Sequence, residues 1–506
     1  MKNLTLLFLG FFVLVASPVN AATWRFDPTV NLKETYTDNV FLESDNERDD
    51  FITEITPGIR ISGKGRYLQL DLDYQYQSLF YADDSSLNDE FHQLRAKLDA
   101  ELIQDHLFLE ADANYGQSTI SNQGRTSNNN RNITANRADT SVFRLSPIYR
   151  KSFAGLVDTE LQYTYSLVTV DAGAGDSESN QFRVRMNNGR KFSRFRWTFD
   201  YQKSDSERTD TAVASPDTQF ESIRGNLSIP LSRKWSAIVE AGKEDNDFST
   251  SRDRIDGDYT AIGVSYQPNS RFLVELVGGE RDRFTLNWSP SPRTDIGFNF
   301  NSQNFGANSG DSVSAEINHR TRRSTWEVRY RDETTTSQDI LLNDRVSVLL
   351  DSQGNPVIDP ITNDPILVNL ENLNLRDDVI NRKRLDAAVS YNTAKSIFRI
   401  RLFSEDRTGE LTGSVSEKSI GTSFSWNWRF AQRTESIFTA NLRNDKTSGT
   451  QSDSDSLDVS INIIRRISRS TSANIALQYV DRDSGSNNVV NEYKENSISA
   501  GIRAAF

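Results

Sequence analysis

From Trp24 to the C-terminus, apolar and polar side chains alternate with a period of two in run after run. Leu68, Leu70, Leu72, Tyr74, Tyr76 and Phe80 interleave with Gln69, Asp71, Asp73, Gln75 and Gln77. Leu94, Ala96, Leu98 and Ala100 interleave with Arg95, Lys97 and Asp99, and Trp197, Phe199 and Tyr201 with Arg196, Thr198, Asp200 and Gln202. Phe424, Trp426 and Trp428 repeat the pattern, and the chain closes on Ile498, Ala500, Ile502, Ala504 and Phe506. Such alternation gives an extended strand one apolar and one polar face. Stripes at i, i+3, i+4 are nearly absent, which leaves little room for helices. The runs span about 11–15 residues, beyond the ordinary soluble strand of 5–6 and long enough for the roughly 9–11 residues that cross a bilayer.

The connections fall into two alternating classes. Eleven short ones lie near 63–65, 104–106, 151–155, 191–194, 231–234, 268–271, 290–293, 320–324, 393–396, 431–434 and 467–470. Twelve longer ones separate them, at 40–50, 82–89, 117–138, 171–180, 204–216, 243–256, 280–283, 306–310, 332–381, 406–417, 444–455 and 480–491. Charge sorts them the same way. The short turns carry Lys64, Lys151, Arg233, Lys234, Arg322 and Arg323, whereas the long loops carry Asp45, Asp49, Asp83, Asp176, Asp245 and Asp453. This pattern predicts an all-β, transmembrane, antiparallel up-and-down barrel of about 24 strands (20–24), with short inner turns, long outer loops and both termini inside. A soluble sandwich also alternates, but its strands are shorter and leave edges to manage. In hydrocarbon an open edge would leave backbone groups unpaired, so the sheet must close.

Composition narrows the remaining classes. The chain has no Cys and three isolated His, at 92, 106 and 319, so no thiolate metal site, disulfide framework or multi-His centre is expected. A net charge of −12 argues against a nucleic-acid binder. No Gly-x-Ser-x-Gly elbow accompanies any His, and neither a Gly-rich phosphate loop nor an EF-hand is evident, so neither enzyme activity nor a cofactor is expected. Residues 1–21 read as a secretory signal. Lys2 precedes an apolar run from Leu6 to Ala16, Ser17-Pro18 breaks it, and Ala21 offers a small residue for cleavage. Residues 22–506 then form one barrel, exported to the outer membrane of a Gram-negative cell, where lipid and lipopolysaccharide surround it.

Polar positions of the strands give the lumen-facing candidates: Gln69, Asp71, Asp73, Gln75, Arg95, Lys97, Asp99, Glu110, Asp112, Arg183, Arg185, Arg196, Asp200, Arg329, Arg399 and Arg401. Such a wall either passes a hydrophilic polymer through weak, replaceable bonds or pairs its charges and holds a closed barrel in shape. A 24-strand ring at strand spacing of ~4.8 Å and tilt near 40° is roughly 50 Å across, so something must fill or gate it. The segment 332–381 is the expected filler, because it holds Ile340-Leu341-Leu342, Val357-Ile358 and Ile366-Leu367-Val368. It either folds into the lumen or packs on itself as a surface cap. With strands under way by Trp24, a plug domain of about 120 residues has no room ahead of them, which disfavours an energised uptake receptor.

Thr35-Tyr36-Thr37-Asp38-Asn39-Val40-Phe41, with Asp50-Phe51-Ile52 and Thr56-Pro57-Gly58-Ile59, resembles the opening of outer-membrane barrels encoded with exosortase/PEP-CTERM exopolysaccharide systems. Trp288-Ser289-Pro290-Ser291-Pro292-Arg293-Thr294 and the stretch from His319 to Trp326 are similar to that family's mid-chain motifs. The resemblance implies a porin-like barrel associated with exopolysaccharide and its export proteins. Terminal Phe506 resembles the signal read by the barrel-assembly machinery. Asp38-Asn39 either positions a partner or forms an Asx turn at a strand end. Trp288 and Trp326 are expected as interfacial anchors rather than ligand platforms.

Overall fold

The computed structural model describes residues 23–506, apart from 121–123, 128, 172–175, 193, 210–217, 249–255, 307–308, 337–346, 349–366, 369–378, 410–415, 449–452 and 485–490. The signal segment 1–21 therefore lies outside the described residues, as does most of 332–381.

Twenty-four strands form one antiparallel sheet. They are β1 (Thr23–Thr37), β2 (Asp50–Lys64), β3 (Leu68–Tyr81), β4 (Asp89–Ile103), β5 (Leu107–Thr119), β6 (Arg137–Phe153), β7 (Val157–Val170) and β8 (Asp176–Asn188). Next come β9 (Arg196–Thr209), β10 (Thr218–Pro230), β11 (Trp235–Phe248), β12 (Gly257–Asn269), β13 (Phe272–Gly279), β14 (Arg281–Ser291), β15 (Thr294–Gln303) and β16 (Gly310–Arg320). The ring is completed by β17 (Ser324–Thr336), β18 (Val379–Asn392), β19 (Ser396–Gly409), β20 (Ser416–Ala431), β21 (Thr434–Thr447), β22 (Ser454–Arg466), β23 (Thr471–Ser484) and β24 (Tyr493–Ala505). Each strand pairs with the next, and β24 returns to β1 over Thr37↔Ser497 to Thr29↔Ala505. The sheet has no edge, so its ladder is satisfied around the whole ring. Among the described residues there is no α-helix, only one 3₁₀ turn at Ser85–Leu87.

Short and long connections alternate where the sequence places them, except that the one read as long at 280–283 is a tight turn at Glu280 alone. Two refinements follow from pairing. The strands run from 8 residues in β13 to 17 in β6, a wider spread than the alternation suggested. The segment 332–381 is shorter as a loop than expected, because its flanks continue the ladder with Asp332↔Lys383 to Thr336↔Val379. Threonines and charges there lack the apolar alternation but still pair as strand above the membrane. Within that connection Ser347–Val348 pairs antiparallel with Leu367–Val368. Tight inner turns need special backbone: Ala154 and Gly155 take φ of 53° and 74°, the two consecutive left-handed residues of a primed hairpin turn.

The outward face carries the oily residues. Phe26, Leu32, Ile262, Ile400, Leu442 and Ile498 are all exposed. Near the short-turn end a belt of Trp235, Trp288, Trp326, Tyr391 and Trp428 projects outward, and Trp426 stacks on Phe398 with ring centroids 5.7 Å apart. Near the long-loop end Tyr36 and Phe51 stand 4.9 Å apart on the same face. Two aromatic girdles around an apolar band are the outer surface of a barrel seated in a bilayer. On β3–β5 leucines alternate with small Ala96, Ala100 and Ala111, and Leu68, Leu70, Leu98 and Leu109 cover one another there, with Trp24 and Leu145 packed against them.

Candidate functional site

Strand register decides which side chains share the lumen, because paired residues lie on one face. Following the pairs around the ring from Lys33, Thr35 and Thr37 returns to Ser497 and Ser499 with the same parity. Register places the sixteen polar positions singled out above on this inner face. On β3 and β4, Gln69 faces Asp99, Asp71 faces Lys97, Asp73 faces Arg95 and Gln75 faces Gln93. On β5, Asp112 continues from Lys97 and Glu110 from Asp99. Arg183 faces Gln202, Arg185 faces Asp200, and Arg196 faces Ser228. Arg329 faces Asp386, Arg399 faces Ser425 and Arg401 faces Ser423. Several pair locally: Asp73 with Arg60 at 2.6 Å, Arg185 with Asp200 at 2.7 Å, Arg329 with Glu316 at 3.3 Å and Arg401 with Asp386 at 2.7 Å.

The structure also assembles two features that residue-by-residue alternation does not single out. One is a dense ionic knot on β18 and β19. Glu405 is 3% exposed and lies among Arg382 at 2.9 Å, Arg384 at 2.5 Å and Arg407. Arg384 also reaches Asp386 at 2.5 Å. One carboxylate serving three guanidiniums is held by charge-assisted bonds that offset its desolvation. Beside the knot, Phe403 points inward between Arg384 and Arg443, whose guanidinium carbons lie 5.7 and 6.0 Å from its ring centroid. Gly421 makes room for it: a Cβ there would overlap the Phe403 ring.

The other feature is the outer loop between β5 and β6, whose described residues 124–127 and 129–136 turn into the barrel at its outer end. Asn130 donates to Gln77 at 2.7 Å and to Gln117 at 3.1 Å. Arg131 donates to the Thr35 hydroxyl at 3.0 Å, and the Tyr81 hydroxyl donates to the Arg131 carbonyl at 2.6 Å. Asn132 donates to Glu495 at 2.9 Å, and Thr37 donates to the same carboxylate oxygen at 2.8 Å. Ile133 packs against the inward apolar cluster of Val40, Ile52, Leu79 and Tyr81. Beneath the loop Lys33 and Glu54 pair at 2.8 Å. The polar run Ser127-Asn128-Asn129-Asn130-Arg131-Asn132 was the available signal for this insertion.

Asp38 and Asn39 stitch the seam between β1 and β24. The Asn496 amide donates to Asp38 Oδ1 at 2.7 Å, and the Asn496 carboxamide donates to Oδ2 at 2.8 Å. Asn39, fully buried, donates to the carbonyls of Glu43 at 2.7 Å and Lys494 at 2.9 Å. The Glu43 amide donates back to the Asn39 side chain at 2.9 Å, a closure that spans four residues where an Asx turn spans two. At the other end of the seam, Phe506 donates its N–H to the Pro28 carbonyl at 3.0 Å and leaves its ring 78% exposed on the outer face.

The three histidines lie apart. His92 sits beside Tyr74, 2.8 Å from its hydroxyl, and His319 lies 2.8 Å from the Thr294 hydroxyl, both on the outward register. His106 occupies the inner turn between β4 and β5 rather than a strand. Among the described residues no group of three His, Cys, Asp or Glu is placed to hold a metal ion.

A closed 24-strand barrel with an apolar, aromatic-girdled exterior and a charged interior is an outer-membrane β-barrel. No family model matches the chain, and no curated protein does. Among solved structures it is similar to the siderophore receptor PirA from Pseudomonas aeruginosa, at 9% identity and TM-score 0.42, covering 96% of this chain and 80% of that one. It is also similar to the FrpB iron transporter from Neisseria meningitidis, at 9% identity and TM-score 0.45, covering 95% and 81%. A mutant ferric enterobactin receptor, PfeA, from Pseudomonas aeruginosa gives 10% identity, TM-score 0.43 and coverage of 96% and 81%. Their cargo is a property of those proteins; the likeness carries no residue across.

Proposed function

We propose that this barrel is a pore or accessory component for exopolysaccharide export or surface assembly. The observation that carries the reading is a hydrophilic inner wall of mixed charge, narrowed at its outer end by a loop that is itself polar and hydrogen-bonded to that wall. Such a wall offers a polymer many weak contacts without a trap. The resemblance of the opening and mid-chain motifs to barrels of exopolysaccharide systems supplies the process. In this reading the chain performs no catalysis and needs no cofactor. Its partners are lipopolysaccharide, the barrel-assembly machinery that reads Phe506, and the glycan with its export proteins. Single-channel recording tests it: stepwise conductance is expected, with added polysaccharide interrupting the current. Steady silence, both in the intact chain and after loop 120–136 is shortened, would exclude a pore.

One observation favours a second reading, a non-conducting scaffold or adhesion barrel. The knot around Glu405 spends much of the inner charge on itself, as a wall built only to hold shape would. That reading expects silence in the bilayer, together with retention of glycan or a partner at the cell surface.

A further inference from the structure

Beyond the ionic knot, the inner wall changes character. At mid-height the inward positions of β21, β22 and β23 include Thr439, Asn441, Ser460, Asn462, Asn474 and Gln478, all half-buried, together with the apolar Ile437, Ala476 and Val480. Asp458 is the charged side chain among them, and Arg443 and Arg482 follow one step toward the outer end. The Thr439 and Ser460 hydroxyls lie 2.7 Å apart, the Asn474 carboxamide donates to Asn462 at 3.3 Å, and Gln478 donates to Asp458 at 3.2 Å. Each hydroxyl and carboxamide keeps further hydrogen-bonding capacity after these contacts.

The described part of the β5–β6 loop, at Thr126, overhangs the outer end of this wall. The Tyr493 hydroxyl donates to the Thr126 carbonyl at 2.5 Å, and Arg482 donates to the Thr126 hydroxyl. Between loop and wall lies a cavity of about 80 Å³, lined among others by Thr126, Ser127, Asn129, Asn441, Asp458 and Gln478. It has room for a few water-sized groups; its hydroxyls and amides share the lining with Arg443, Glu495 and the aliphatic Leu42, Leu442, Leu457 and Val480.

We infer that β21–β23, with the overhanging loop, form a track for uncharged polyhydroxylated chains, in preference to polyanions. The inference rests on the pore reading and deepens it by naming the substrate class. A neutral sugar offers neighbouring hydroxyls that both donate and accept, and this wall meets them without desolvating a charge. Asp458 repels anionic units at mid-height, and toward the outer end Arg443 is paired with Asp445 at 2.7 Å while Arg482 donates to Thr126. The nearby arginines Arg382, Arg384 and Arg401 are engaged by Glu405 and Asp386 rather than presented to a passing anion.

The test uses the full chain in planar bilayers, with maltohexaose as the neutral probe and hexagalacturonate as the anionic probe of equal length. Maltohexaose is expected to block the current at concentrations roughly tenfold below hexagalacturonate. The double variant N441A/Q478A should weaken the maltohexaose block roughly tenfold, the loss of two net hydrogen bonds. Equal or stronger block by hexagalacturonate, or a variant that binds maltohexaose like the parent, overturns the track. A folded barrel that carries no current overturns the pore reading instead. Calorimetry on the detergent-solubilised protein then decides the track alone: maltohexaose binding lost in the variant upholds it, and no binding by the parent ends it.

Discussion

Two stretches of the same inner wall solve one problem differently. Across β18 and β19 the interior is held by Arg382, Arg384, Arg401 and Arg407 clustered on Glu405 and Asp386. Across β21–β23 it is held by short neutral bonds such as Thr439 to Ser460. Both face the same lumen and both back onto an oily exterior, Ile400 in one case and Ile461 in the other. The difference teaches where the wall is costly to disturb. Buried charge fails steeply when a partner is lost, whereas a hydroxyl wall at partial exposure tolerates loss and can exchange its bonds with a guest.

The sharpest way to break the contrast is Glu405→Ala, which removes the one carboxylate that three guanidiniums share. It should cost about 3–5 kcal/mol, read as a lowered denaturation midpoint in detergent. An unchanged midpoint would mean the knot contributes nothing. Next, Ile400→Arg and Ile461→Arg put a charge on the lipid face of either wall. Each should cost ~2–4 kcal/mol near the bilayer midplane, regardless of which wall lies behind it. A smaller effect is expected from Arg131→Ala, which removes the bond to Thr35 beside the Lys33–Glu54 pair and should weaken loop anchoring by roughly 1–3 kcal/mol. Because the chain has no Cys, Ala135→Cys gives a unique thiol for a spin label, whose spectrum should sharpen when Arg131 is removed. Smallest of all, Ser460→Ala should change stability by less than about 1 kcal/mol, although it lies on the same inner face as Glu405. A loss as large as that of Glu405→Ala would erase the distinction between the walls.

Much of this architecture was legible in the residues. Alternation such as Leu70-Asp71-Leu72-Asp73 fixes both strand and face, since a slip by one residue would drive aspartate into lipid. Short basic turns and long acidic loops then number the strands. Which loop enters the lumen was less legible. Aliphatic content pointed to 332–381, most of which lies outside the described residues, whereas the described intruder is the β5–β6 loop, bonded through Asn130, Arg131 and Asn132. A loop entering a wet bore gains by matching polar walls, so hydrophobicity is the wrong signal for it. The knot at Glu405 was hidden for another reason. Its members come from two strands and meet only through register, so no single run of sequence displays it.

The stitch of Asp38 to Asn496 joins positions 458 residues apart in the chain. Bringing such distant ends together costs roughly 5 kcal/mol of chain entropy if nothing between them is yet ordered. The join is also thin: β24 pairs with β1 from Thr29 to Thr37, whereas β2 pairs along all of Thr23–Thr37. A hoop of staves is therefore completed at a joint shorter than the one beside it, by the first and last pieces delivered. That joint is where an assembly factor gains by holding two distant ends side by side.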